Sequence, residues 1–389
     1  MRIQRIAVRV EMTTPSIALV AGEPSGDRLG AGLINALKAR DPKIHFFGMA
    51  GTRMIDAGCE AIAHIEELSV MGLSEVARSY FRLRRLRARL GDEILKRRPD
   101  VVIGIDVPDF NFGLERRLKK SGVITAHYVC PQAWAWRKGR AKQMPEIADL
   151  WLALLPFEPA FFSRFGVATE FVGHPLADEI PLQPDQVKAR ERLGLDPGRP
   201  VLALLPGSRK QEISRLLPVF ARTARAVAAT RQGLQLVAGL ASDAHRELLL
   251  PHFAVDEITV VCEASTDVLT SADVAIVASG TVTLEALFCR TPAVVAYRLA
   301  PLSYHIIRHM VEVKNIALSN IVAGHELVPE LVQSQVTEAS LIEAVNGWLD
   351  DPHKTQQYRS EAQRIHVDMR RDASGEAAQC IMRLINGAD

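Results

Sequence analysis

Short apolar, β-branched runs alternate with longer helical patterns along most of this chain, and that alternation restricts its fold more than any other feature. Strands separated by helices cannot form hairpins. They pair in parallel, and the helices cover the sheet faces. In the first half, strands are expected near 16–21, 44–47, 101–105, 123–129, 150–154 and 170–172. A second series follows near 201–205, 234–238, 258–261, 274–277 and 293–297.

Between the two series lies a polar stretch carrying Pro175, Pro181, Pro184, Pro197 and Pro200 around a short charged helix near 186–193, the expected linker. A chain of 389 residues is long enough for two ordinary domains. The expected division is 1–180 and 181–354, followed by a polar helical segment over 355–389. Two doubly wound domains would place a ligand cleft between them, at the carboxyl ends of their strands.

Composition excludes several classes. A net charge of +2 argues against wholesale nucleic-acid binding. The five cysteines show no CxxC pairing, which argues against a zinc site or a disulfide framework and fits a reducing, cytoplasmic setting. No run of about 18 apolar residues is present to span a bilayer. The basic start is too short and interrupted for a signal peptide, and Met12 is an alternative to Met1 as the native start.

The loop after the first strand, Ala21-Gly-Glu-Pro-Ser-Gly-Asp27, is neither GxGxxG nor a Walker loop. Its amides at a helix start suit an anionic or hydroxyl-rich ligand. Ser25 or Asp27 would serve as N-cap, which leaves Glu23 unexplained. Asp106 ends an apolar strand in Gly104-Ile-Asp-Val-Pro-Asp-Phe-Asn111. Asp109 or Asn111 can cap the next helix, so Asp106 stands either as a general base or as an ordinary loop carboxylate. Trp134 and Trp136 follow another strand, as core residues or at a cleft mouth. His174 either reaches a cleft or shapes the hinge.

In the second half, Leu205-Pro-Gly-Ser-Arg-Lys-Gln-Glu212 opens a helix. Ser208 and Gln211 suggest a capping box, which gives Arg209 no role. A guanidinium beside free amides would neutralise a diphosphate. Ala278-Ser-Gly-Thr-Val-Thr-Leu-Glu-Ala286 repeats the pattern, with Ser279, Gly280 and Thr281 at a helix start. Glu285, one turn on, is placed to accept ribose hydroxyls. Finally, apolar residues recur at helical spacing from Leu73 to Ile94, with Arg78, Arg82, Arg85 and Arg89 on another face. Such a helix either packs on the core with a solvated Arg stripe or lies at a membrane interface.

The ordered set AGEPSGD, GIDVPDFN, HYVCPQAWAW, LPFEPAFF, FVGHP, LLPGSRKQEI, ASGTVTLEA and NIVAGHELVPELVQ resembles the lipid A disaccharide synthase family, from about residue 16 to the end. The resemblance implies an α/β GT-B fold of two Rossmann-like domains with an interdomain cleft. It implies an inverting transfer, with no cofactor, from UDP-2,3-diacylglucosamine to 2,3-diacylglucosamine 1-phosphate at the inner face of the bacterial inner membrane. Asp106 would be the base and Arg209 the residue stabilising the leaving diphosphate. Gly207, Ser208, Glu212, Ser279, Gly280, Thr281, Glu285 and Asn320 would bind the donor, and Glu23 and Ser25 the acceptor. Val70, Met71, Leu73, Arg78, Arg82 and Arg85 would meet the membrane. No Asp-x-Asp stands where a metal would hold UDP. A homodimer through an exchanged C-terminal segment is also implied. Pro175 departs from the family pattern, in which some relatives carry Thr, and the first residues match nothing in it. The competing readings are another GT-B UDP-sugar enzyme (an epimerase or a peptidoglycan-precursor transferase) and a non-catalytic nucleotide-sugar binding module.

Overall fold

The computed structural model describes residues 15–69, 76–135, 138–254, 256–300 and 314–387. The chain divides into two compact units. One runs to Gly173 and resumes at Asp372; the other is His174–Arg371. The first boundary therefore falls before the Pro-rich stretch rather than within it, and the stretch belongs to the second unit. The C-terminal segment is shared: the Pro352–Met369 helix lies in the second unit, while the Ala373–Asn386 helix lies in the first.

The first unit is built on seven strands: β1 (Ser16–Val20), β2 (His45–Ala50), β3 (Cys59–His64), β4 (Val101–Ile105), β5 (Thr125–Tyr128), β6 (Leu150–Ala153) and β7 (Thr169–Phe171). All pair in parallel, in the order β3-β2-β1-β4-β5-β6-β7. Alternation along β1 explains both faces. Ile17 and Leu19 enter one apolar cluster with Leu33, Ile34 and Leu37, while Ala18 and Val20 enter another with Leu86, Leu90 and Ile94. The first cluster is closed by Ala377, Ala378 and Ile381 of the last helix. Gly32 allows that approach, since a Cβ there would stand 2.6 Å from the Ser374 hydroxyl oxygen.

The second unit holds β8 (Val201–Leu205), β9 (Gln235–Leu240), β10 (Thr259–Cys262), β11 (Val274–Ala278), β12 (Ala293–Tyr297) and β13 (Glu330–Val332), again all parallel, in the order β10-β9-β8-β11-β12-β13. β3 and β13 lie at sheet edges and have no continuous apolar run, which is why sequence patterning passes over both. In each sheet the strand order reverses beside the first strand, between β1 and β4 and between β8 and β11. Ligands of open α/β sheets bind outside the carboxyl ends at such switch points.

Among the described residues no helix is long and apolar enough to cross a membrane. Val70, Met71 and Leu73 lie outside the described residues, as does the side chain of Arg78. In the Val76–Arg97 helix, Leu86, Leu90 and Ile94 pack on the core, whereas Arg82 and Arg85 are exposed beside Phe81, itself 60% exposed.

Candidate active site

The first switch point is shaped by a tight turn at the end of β4. Asp106 and Val107 both adopt positive φ, at 51° and 45°. For a β-branched residue such as Val107 this is costly, of the order of 1–3 kcal/mol, and it persists only where the surroundings enforce it. Asn111 enforces it here. Its fully buried amide donates to the carbonyls of Val20 at 3.2 Å, Ile105 at 3.2 Å and Asp106 at 2.8 Å. The Asp106 amide is bonded to the Tyr128 carbonyl at 2.9 Å. The backbone of Asp106 is thus held at both ends, and its half-exposed carboxylate makes no hydrogen bond to any described residue. Asn111 is consequently not a helix cap. The Pro108–Lys120 helix starts at Val107 with no side-chain cap, and Asp109 is exposed and paired with Arg140 at 2.8 Å.

The loop after β1 lies against this turn: a Cβ on Gly22 would meet the Val107 side chain at 3.0 Å and Leu68 at 2.7 Å. Glu23 is the N-cap residue of the Pro24–Arg40 helix, without a side-chain cap bond, and both Glu23 and Ser25 are exposed. Neither Ser25 nor Asp27 caps that helix. Asp27 is buried and caps another one, accepting from the amides of Gly51 at 2.8 Å, Arg53 at 3.0 Å and Met54 at 3.1 Å at the start of the Thr52–Asp56 helix.

Trp134 is a core residue. Its indole N–H donates to Glu158 at 3.1 Å, and burial pushes the Glu158 carboxyl up to about 7. Trp136 lies outside the described residues. His174 shapes the chain rather than a pocket. Its Nδ1 accepts from the Leu176 amide at 3.2 Å as N-cap of the Pro175–Glu179 helix, and burial lowers its pKa to about 4.

At the second switch point the carboxyl ends of β8, β9, β10 and β11 enclose a pocket of about 460 Å³. Gly207, Ser208, Glu212, Ser279, Gly280, Thr281 and Glu285, expected from sequence as one set, all line it. Gly207, at φ 112°, makes the turn into the Lys210–Thr230 helix. Arg209 rather than Ser208 is the N-cap residue, so the expected Ser208–Gln211 box does not form. Glu212 instead reaches back one turn to accept the Ser208 amide at 3.3 Å. The Arg209 side chain is exposed next to these residues and has no ion pair among the described residues. Arg209 is not itself among the lining residues, but two helix starts, at Ser208 and at Thr281, open onto one cavity, which suits a diphosphate.

Glu285, only 9% exposed, is fixed by residues that sequence patterning did not single out. Its Oε1 accepts from the hydroxyls of Ser265 at 2.7 Å and Thr266 at 2.6 Å, and Oε2 makes no bond to a described residue. Ser279 donates to the Ile316 carbonyl at 3.2 Å. Asn320 is not brought to the pocket. It is fully buried, donating to the Val328 carbonyl and the Glu330 carboxylate and accepting from the amides of Leu327 and Val328, so its amide is used up in fastening the 316–330 loop. Among the described residues no three His, Cys, Asp or Glu side chains stand together as metal ligands would.

Comparison with known proteins gives the family and the fold. The family model described as lipid-A-disaccharide synthetase matches residues 17–385. A lipid-A-disaccharide synthase of Pseudomonas paraeruginosa is 45% identical over 372 residues, covering 95% of this chain and 98% of that protein. One from Xanthomonas campestris is 43% identical over 381 residues, covering 96% and 87%. Solved structures share the fold at low identity. The calicheamicin glycosyltransferase CalG4 aligns over 97% of this chain and 99% of its own with a TM-score of 0.63 at 16% identity. A UDP-GlcNAc 2-epimerase from Neisseria meningitidis, bound to UDP-GlcNAc, aligns over 96% and 100% with a TM-score of 0.63 at 11% identity. The fold is that of the GT-B enzymes, and with the family match running from β1 to the last helix, the chain belongs to the lipid-A-disaccharide synthase family.

Proposed function

We propose that this chain joins UDP-2,3-diacylglucosamine to 2,3-diacylglucosamine 1-phosphate, giving a β(1→6)-linked disaccharide 1-phosphate and UDP. The carrying observation is the second pocket, where two helix starts and an oriented Glu285 converge, with Arg209 next in the chain to the lining residue Ser208. Glu285 accepts ribose hydroxyls, held in register by Ser265 and Thr266. The loops at Gly207–Ser208 and at Ser279, Gly280 and Thr281 receive the diphosphate.

Asp106 takes the proton from the acceptor 6-hydroxyl as that oxygen attacks the anomeric carbon, while Glu23 and Ser25 contact the acceptor sugar. The bond from the anomeric carbon to the β-phosphate oxygen breaks with inversion. Arg209 meets the charge growing on UDP, an interaction that strengthens in the transition state and so lowers the barrier. This scheme calls on no metal ion. An epimerase reading has only a fold-level likeness behind it, at 11% identity.

The acylated substrates are met at the inner face of the inner membrane. There the segment carrying Val70, Met71 and Leu73, with Arg78, Arg82 and Arg85 of the following helix, supplies apolar and cationic contacts. Exposed Phe81 beside Arg82 and Arg85 supports that surface. The chain forms a homodimer that exchanges its C-terminal segment, the partner's last helix taking the seat that the chain's own Ala373–Asn386 helix fills in the single chain.

The test is to incubate the purified protein with both acylated glucosamines and analyse the products by mass spectrometry. UDP and a tetraacyl disaccharide 1-phosphate are expected; if neither forms, the reading fails. Flotation with anionic vesicles should weaken when Arg82 and Arg85 are changed to Glu, and light scattering should give twice the chain mass.

A further inference from the structure

A second concavity lies at the opposite edge of the second unit's sheet, where β11 and β12 begin rather than end. It has a volume of about 280 Å³ and is lined by residues that include Gln183, Gln186, Thr291, Arg290 and Arg359. No Asp or Glu lines it. The nucleotide pocket described above sits at the carboxyl ends of the same strands, so the two cannot share a ligand.

The two arginines have no ion pair among the described residues. One Nη of Arg290 donates to the Leu182 carbonyl, but its Nε is buried without any hydrogen-bond partner. Burial first, then the charge of Arg359, push the Arg290 guanidinium below its ordinary pKa. The nearby carboxylate of Asp273 is already taken by Arg190 at 2.7 Å. The neutral groups are largely committed too: Gln186 Nε2 donates to the Ala272 carbonyl at 2.9 Å, and the Thr291 hydroxyl to the Leu269 carbonyl at 2.6 Å. What remains is a small cavity with two like charges and an unused buried donor. A buried donor without a partner is expensive, and so are neighbouring cations with no counter-charge. One oxyanion supplies the missing counter-charge to both arginines, and guanidinium groups match phosphate geometry.

We propose that the cavity between Arg290 and Arg359 binds a phosphate-type oxyanion, either free phosphate or the phosphate of a lipid headgroup. The cavity has room for a phosphate and a small substituent but not for a nucleotide sugar.

Thermal unfolding with inorganic phosphate, against chloride at matched ionic strength, tests this in the full chain. The wild-type protein should show a saturable phosphate-dependent rise in melting temperature. Arg359→Gln should shift the half-saturating phosphate concentration upward at least tenfold, Arg359→Lys should shift it less, and Arg209→Ala should leave it unchanged. Melting in chloride reports whether each variant folds. A response that survives Arg359→Gln, or that vanishes in Arg209→Ala, overturns the proposal by placing the phosphate elsewhere. Flotation with phosphatidylcholine vesicles containing phosphatidic acid separates the sources. Loss of vesicle binding in Arg359→Gln assigns the lipid phosphate, and a response to soluble phosphate alone assigns the free ion. If neither probe depends on Arg359, no such site exists.

Discussion

The two switch points solve one geometric problem in different ways. Both need the chain to turn sharply off a central strand and expose functional groups at its carboxyl end. In the second unit, Gly207 takes up the positive φ, and its neighbours Ser208 and Glu212 line the pocket. In the first unit no glycine is used: Asp106 and Val107 adopt left-handed backbone themselves, clamped by the Asn111 amide. A glycine at 106 would make the turn easily but carry no carboxylate. Backbone strain there accompanies the placing of a carboxylate, the proposed base, at the apex of the turn.

The largest effect expected from this difference is on turnover. Asp106→Asn keeps a side chain that tolerates left-handed backbone, so folding should persist while kcat falls by about 10²–10⁴-fold, the usual contribution of a general base. Unchanged kcat in steady-state assays would remove Asp106 from the base role. Next comes the clamp. Asn111→Leu removes the donor from three carbonyls and should cost about 3 kcal/mol in chemical denaturation, with kcat falling because Asp106 loses its aim. The Gly207 turn is braced by a single bond, from the Ser208 amide to Glu212.

The units should also respond oppositely to pH. Buried Glu158, in the first unit, keeps its proton to about 7, whereas an unfolded carboxyl releases it near 4.5. Folding therefore retains a proton in that window, and this contribution to stability is lost as pH rises from about 4.5 through 7. His174, in the second unit, stays neutral down to about 4 although a free imidazole protonates near 6.5, so its contribution is lost as pH falls through 6.5 toward 4. Each is worth at most about 3 kcal/mol. Glu158→Gln should remove a fall in stability between about pH 4.5 and 7, and His174→Asn, which retains a capping oxygen, a rise between about pH 4 and 6.5, so the two variants tilt the same part of the profile in opposite directions. Profiles identical to wild type would disprove both assignments. Smaller still, Gly207→Ala should cost about 2 kcal/mol. Its Cβ would overlap Glu212 and dislodge that carboxylate from the Ser208 amide, so UDP affinity measured by calorimetry should fall as well.

These contrasts also show how far sequence reaches. The central strands and the pocket-lining pair of loops were legible because they depend on local apolar runs and on glycine or hydroxyl residues within a few positions. β3 and β13 were not: β3 (CEAIAH) and β13 (ELV) interrupt their apolar residues with charged or polar ones, whereas the edge strand β10 (TVVC) keeps an apolar pair and was found. Residues with remote partners were misassigned. Asp27 reads as a cap for its own helix, yet its acceptors serve amides 24 to 27 residues away. Asn111 reads as a cap, yet one of its carbonyls is 91 residues distant. Asn320 carries the polarity of a ligand contact but spends it on four bonds inside the loop. Short polar side chains look alike in sequence whether they face a ligand or a buried carbonyl, and only the fold distinguishes them. The return of the last helix to the first unit was hidden for the same reason: the segment reads as polar overall, and the small apolar face it packs on the first core cluster has its partners far away in the chain.

The smallest predicted effect bears most directly on the comparison, because it asks whether the first turn is strained at all. Val107 carries the worse conformation of the pair, a β-branched side chain at φ 45° and ψ 60°. Replacing it with Asn, which adopts this region readily, should recover much of the 1–3 kcal/mol associated with such backbone. Against that gain stands the loss of a half-buried isopropyl group packed on the second core cluster, about 1 kcal/mol. The difference favours the variant by about 1 kcal/mol, a few degrees in melting temperature. Because Asp106 and its Asn111 clamp remain, kcat should change less than twofold. A variant destabilised by more than about 1 kcal/mol would mean that Val107 contributes packing rather than strain. The two switch points would then differ in which residues make their turns, not in energy.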